Sequence, residues 1–235
     1  MSLKNYEVYY SPVMYFGEND IEKESLEQHK KYSYHRCPVW NHQISRIFIV
    51  KSPVDFEVKF SKTEQHLIEY KIGDEKTKVI NLLTDVEDDK TFGDDNFIIH
   101  IPDVMTDNPV IQLPFTNTYF WTSPKLEYVW FEFLDHPMTS LKNNFIPVGG
   151  WFNLANYPRN TSLGIKVIDV DKPVSVKKGD PLYRVRFYSD DLDEMPVLFK
   201  KEPHEFPDNL MYENVMKLRG NPELLPSILF HKSKN

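Results

Sequence analysis

Prolines punctuate this chain from one end to the other: there are 17 in 235 residues, against only 8 glycines. A proline inside a helix removes a backbone donor and clashes with the preceding turn, so prolines recurring at short intervals exclude long helices. Short strands joined by loops fit between them. An aromatic share of 14% supplies large side chains for a packed core. A chain of this length forms one large β domain or two small ones.

Alternation of apolar and polar residues points the same way, most clearly across residues 145–190. From Gly164 the chain sets Ile165 and Val167 on one side and Lys166 and Ile168 on the other. Val174-Ser175-Val176 follows. Gly179 and Pro181 then predict a turn, since glycine accepts a positive φ and proline cannot donate to a ladder. Residues 182–188 alternate again: Tyr183, Val185 and Phe187 form the better core face, and Arg184 and Arg186 stand side by side on the other. Further strands are predicted over residues 6–15 (broken at Pro12), 44–50, 54–60, 67–72, 78–83, 97–101, 110–113, 119–121, 126–134 and 197–199. In the charged stretch 19–31, Asp20 is placed to cap a short helix, and a solvated loop is the alternative. A second helix is predicted from Asp208-Asn209 to Leu218, with Gly220-Asn221-Pro222 as its stop. The expected fold is mostly β: a single β-sandwich or jelly-roll-like domain over residues 1–195, with a C-terminal extension, 196–235, whose short helix packs on it.

Charge and cysteine use narrow the function classes. A net charge of −7 argues against nonspecific nucleic-acid binding. Cys37 is the one cysteine, so no intrachain disulfide forms, and a reducing compartment fits. The first residues lack the pattern of a secretory signal, and the apolar runs fall short of the ~20 residues of a membrane helix. The expected location is cytoplasmic, in the host if the gene is viral.

Few residue patterns carry chemistry. His35, Cys37 and His42 lie close together and are transition-metal ligand types, but no C-x-x-C, H-x-D or H-E-x-x-H accompanies them. The plain alternative is a loop leading into a strand, with Cys37 and Trp40 buried. His100 lies within a predicted strand. His136 follows Asp135 at a strand end, where either a catalytic pair or a turn would fit. Asp85, Glu87, Asp88, Asp89, Asp94 and Asp95 form an acidic patch of calcium-type oxygens, without the spacing of a helix-loop-helix site. No G-x-S-x-G, Walker-type loop or dinucleotide fingerprint is present. Trp121, Tyr128, Trp130, Trp151, Phe152 and Tyr157 suit core packing, or a stacking platform for a sugar or base. The preferred exposed binding residues are Trp151, Asn153, Asn156, Tyr157 and Arg159, because Gly149-Gly150 precedes them and the segment has a loop's composition.

Four short motifs bear a likeness. Cys37-Pro38, Ser52-Pro53-Val54-Asp55, Trp151-Phe152 and Lys178-Gly179-Asp180-Pro181-Leu182 together resemble proteins of marine tailed phages, especially myoviruses of cyanobacteria, and related bacterial proteins, over residues 32–188. The resemblance implies a mostly-β domain of phage or marine-metagenome origin and carries over no activity or site residue. The last motif also resembles a turn of cupin-like and nucleotide-hydrolase barrels, whose catalytic motifs are missing here. Two functions remain. One is a non-catalytic binding or assembly protein without a cofactor, engaging itself or a partner. The other is a metal-dependent enzyme of distant cupin or oxygenase type, holding a divalent metal on His35, Cys37, His42, His100 or His136.

Overall fold

A computed structural model describes residues 4–12, 20–25, 36–61, 67–81, 98–100, 110–191 and 193–207. In chain order its strands are β1 (Lys4–Pro12), β2 (Ile21–Lys23), β3 (Ile47–Lys51), β4 (Phe56–Phe60), β5 (Leu67–Ile72), β6 (Lys78–Asn81), β7 (Ile98–His100), β8 (Val110–Thr122), β9 (Trp130–Leu134), β10 (Phe145–Pro147), β11 (Trp151–Asn153), β12 (Arg159–Val167), β13 (Val174–Val176), β14 (Pro181–Tyr188) and β15 (Glu194–Lys200). Among the described residues two short α-helices, α1 (Pro38–Ile44) and α2 (Pro137–Asn143), interrupt them. The fold is mostly β and sandwich-like, as the prolines and alternation predict.

The strands form three sheets. The first runs β10-β12-β8-β1-β15, with β7 also paired to β8; the second runs β11-β9-β14-β3-β2; the third runs β13-β4-β5-β6. Pairing is antiparallel throughout the described residues except between β1 and β15, which run parallel from Lys4 opposite Glu194 to Tyr10 opposite Lys200. The first sheet therefore continues past residue 195. Phe120 of the first sheet packs on Phe131 and Phe187 of the second, with ring centres 5.3 and 5.7 Å away. Phe56, Val58, Ile68, Tyr70, Val174 and Val176 of the third sheet belong to the same unbroken core.

β14 buries Tyr183, Val185 and Phe187 and sends Arg184 and Arg186 outward, as predicted. Leu182 is buried as well, because its register with β3 shifts between Pro181 and Tyr183. The segments predicted as separate strands at residues 110–113 and 119–121 are one strand, β8. Its pairing steps from Leu113 opposite Leu163 to Thr118 opposite Thr161, and this bulge accommodates Pro114. Thr116 bridges the gap: its hydroxyl donates to the Leu113 carbonyl at 2.7 Å and accepts from the Leu163 amide at 3.0 Å.

Three local expectations need correction. Residues 21–23 form an edge strand on β3, not a helix capped by Asp20, because the Ile21 backbone finds its partners on Val50. The stretch after Cys37 is helical, not a loop, and Cys37 is exposed while Trp40 is half-buried. Ile44 ends this helix, and the following strand starts at Ile47. The turn expected at Asp135-His136-Pro137 opens α2. The acidic patch at 85–95 and the helix predicted at 208–218 lie outside the described residues.

Two of the sequence motifs interlock. The Asp55 carboxylate accepts from the Lys178 amide at 2.7 Å and from Lys177 Nζ at 3.2 Å. The Ser52 amide donates to the Asp180 carbonyl, and the Gly179 amide returns a bond to the Ser52 carbonyl, each at 2.9 Å. Gly179 takes a φ of +84°, which only glycine adopts without strain. These bonds hold the Asp55 carboxyl below the usual carboxylate range, the Lys178 amide first and the Lys177 ammonium second. Ser52 to Asp55 and Lys178 to Pro181 thus build a structural corner.

Candidate functional site

The chain crosses from the first sheet to the second at Gly149-Gly150. A Cβ on Gly149 would stand 3.3 Å from the Phe133 carbonyl oxygen, so the small residue lets this crossing run close against β9. The Phe133 amide then donates to the Gly150 carbonyl at 3.0 Å. β11 continues along β9, with Trp151 opposite Glu132, Phe152 opposite Phe131 and Asn153 opposite Trp130. The strand period turns Phe152 inward onto Phe131, at 5.0 Å between ring centres, and Trp151 outward with 53% of its surface exposed.

Outward-facing aromatics surround Trp151. Trp130 meets it edge to face at 5.3 Å. Tyr128 and Tyr188 lie nearly parallel to Trp130, at 5.7 and 6.4 Å. Polar groups fringe these rings. Trp130 Nε1 donates to Asp190 Oδ1 at 3.2 Å, Arg186 pairs with Glu132, and the Arg186 guanidinium lies 5.4 Å from the Tyr188 ring centre. Burial, and then the Glu132 charge, push the Tyr188 phenol up.

A cleft of about 350 Å³ opens beside Trp151. Phe133, Gly149, Gly150, Trp151 and Phe152 form one side; Val110, Gln112, Thr161 and Gly164 of β8 and β12 form the other, with Arg159 and Val148 completing it. Pairing of Gly164 with Gln112 brings the far wall together from distant stretches of chain. Arg159 lies 5.5 Å from the Tyr157 ring centre and 5.9 Å from that of Phe152.

Of the five predicted binding residues, Trp151 and Arg159 line this cleft and the other three do not. Asn153, expected at an exposed site, is fully buried: its Oδ1 accepts from the Val129 and Ala155 amides, both at 3.1 Å, and its Nδ2 donates to the Glu127 carbonyl at 3.0 Å. It ties the segment carrying Tyr128 and Trp130 to β11. Tyr157 is also buried, edge-on to Phe152 at 6.0 Å, where it supports Arg159 from below. Asn156 is half-buried in the turn between β11 and β12. Sequence reasoning did not find Gln112, Phe133, Thr161 or Gly164, which reach the site only through strand register.

The described candidate metal ligands are spread over α1, β7 and the start of α2. His35 lies outside the described residues. Cys37 precedes α1, exposed His42 sits in its last turn, and His100 is on β7 opposite Val110. His136 precedes α2, with Nδ1 3.1 Å from the Thr139 hydroxyl. Burial and then the nearby Arg184 charge push His136 below the ordinary histidine range. Arg184 itself is held by buried Glu24, at 3.2 Å to each oxygen, and by the Asp135 carbonyl at 2.7 Å. Among the described residues, no three His, Cys, Asp or Glu side chains gather as a metal site. No helix among them is long and apolar enough to cross a membrane. Comparison with protein-family models, curated proteins and solved structures finds no match for this chain.

Proposed function

We propose that this chain is a non-catalytic binding protein that holds a glycan on the outer face of β9, β11 and β14. The observation that carries this reading is the exposed Trp151 ring braced edge to face by Trp130. A flat indole offers apolar contact to the C–H face of a sugar ring, and bracing reduces the entropy lost when a ligand settles on it. Glu132, Arg186 and Asp190 supply hydrogen-bonding groups at the margin. Two carboxylates beside the rings, on a chain of net charge −7, favour a sugar over a phosphate-bearing strand. The likeness to phage proteins would make the ligand a glycan of a bacterial surface.

Titration with a panel of neutral oligosaccharides, followed by tryptophan fluorescence and calorimetry, tests the reading. Loss of one stacking ring costs about 1–3 kcal/mol, so Trp151→Ala is expected to weaken binding about tenfold or more while the protein stays folded. Failure of the wild-type protein to bind any member of the panel, or unchanged binding by the variant, would overturn it.

A further inference from the structure

We infer that the cleft beside Trp151 is an acid subsite, in which Arg159 receives the carboxylate of a uronic-acid sugar. The inference rests on the glycan reading and extends it to the adjoining space. Among the described residues, Arg159 is the only charged residue lining the cleft. Arg184 and Arg186 have glutamate partners, but no described carboxylate forms an ion pair with Arg159. Its guanidinium is nevertheless positioned, lying over the faces of Tyr157 and Phe152. An arginine held on aromatic faces keeps its planar fork available, and that fork matches a carboxylate with two parallel bonds.

The rest of the cleft suits a sugar ring. Its volume of about 350 Å³ lies at the small end of the ~300–1,000 Å³ range of ligand pockets. Phe133, Phe152 and Trp151 give it apolar walls, and Gln112 adds a polar group. The exposed Gly149 and Gly150 amides on the same wall donate to no backbone carbonyl among the described residues. Trp151 belongs both to the outer aromatic face and to the cleft. An oligosaccharide stacked on that face can therefore place its next residue in the cleft, with the acid toward Arg159.

Calorimetry with three oligomers of equal length, one of neutral hexose, one of hexuronate and one of sulfated hexose, provides the test. The wild-type protein is expected to bind the hexuronate at least tenfold more tightly than the neutral oligomer. Arg159→Met, which keeps an apolar side chain over the two rings, is expected to remove that preference and leave neutral binding within twofold. Trp151→Ala is expected to weaken both. Neutral binding without a hexuronate preference, or a preference that survives Arg159→Met, overturns the acid subsite while the stacking surface stands. Preference for the sulfated oligomer over the hexuronate overturns the carboxylate assignment. Binding of none of the three overturns the stacking surface and the subsite together.

Discussion

Asn153 shows how one side chain fixes the candidate site without belonging to it. The buried Asn153 side chain bonds backbone groups on either side of Tyr128, the Glu127 carbonyl and the Val129 amide, and also the Ala155 amide. Asn153→Ala leaves two amides and a carbonyl without those partners, and at about 1 kcal/mol per bond plus a desolvation penalty the cost is about 2–4 kcal/mol. Denaturant unfolding should register it, and Trp130 fluorescence should shift. His136 makes a pH prediction. Its folded pKa lies below the unfolded value of about 6.5, so the unfolded chain takes up the proton first as pH falls. The stability associated with neutral His136 is fully present above that pH and declines below it, until the folded group also titrates. Melting temperatures measured between pH 7.5 and 5 should therefore fall less steeply for His136→Gln than for the wild-type protein.

At the scale of elements, legibility followed local chemistry. β4 and β14 are evident because their alternation and the proline turns before them agree. Both helices were missed for one reason: each begins with a proline, Pro38 or Pro137, which looks like a break. At the first helical position a proline sacrifices no hydrogen bond, because that amide has no intrahelical partner anyway. β2 has only three residues and is set by its neighbour β3, so no local pattern announces it. The site was half legible. Gly149-Gly150 marked the right stretch, but the burial of Asn153 and Tyr157 depends on β9 and Phe152, which the stretch itself does not reveal. After β15 the chain is anchored by Phe206, buried against Tyr119 at 4.5 Å and Trp121 at 5.5 Å. Phe206→Ala should cost about 3 kcal/mol. Hydrogen exchange should then show lost protection concentrated in residues 194–206.

At the scale of the molecule, the described residues form one core shared by three sheets. Denaturant unfolding is therefore expected to be a single transition, with far-UV circular dichroism and tryptophan fluorescence coinciding. Phe131→Ala, at the centre of the contacts with Phe120, Phe152 and Phe187, should lower the midpoint of both signals together by about 3–5 kcal/mol of stability. Two separated transitions would show that the third sheet unfolds independently. The parallel pairing of β1 with β15 also bears on how the chain is made. During synthesis β1 leaves the ribosome before both of its neighbours, β8 (Val110–Thr122) and, later still, β15 (Glu194–Lys200). Such distant partners make for slow closure. Until β15 arrives, β1 offers an open edge on which strands of other nascent chains can settle, so expression at low temperature or with a holding chaperone should raise the yield of folded protein.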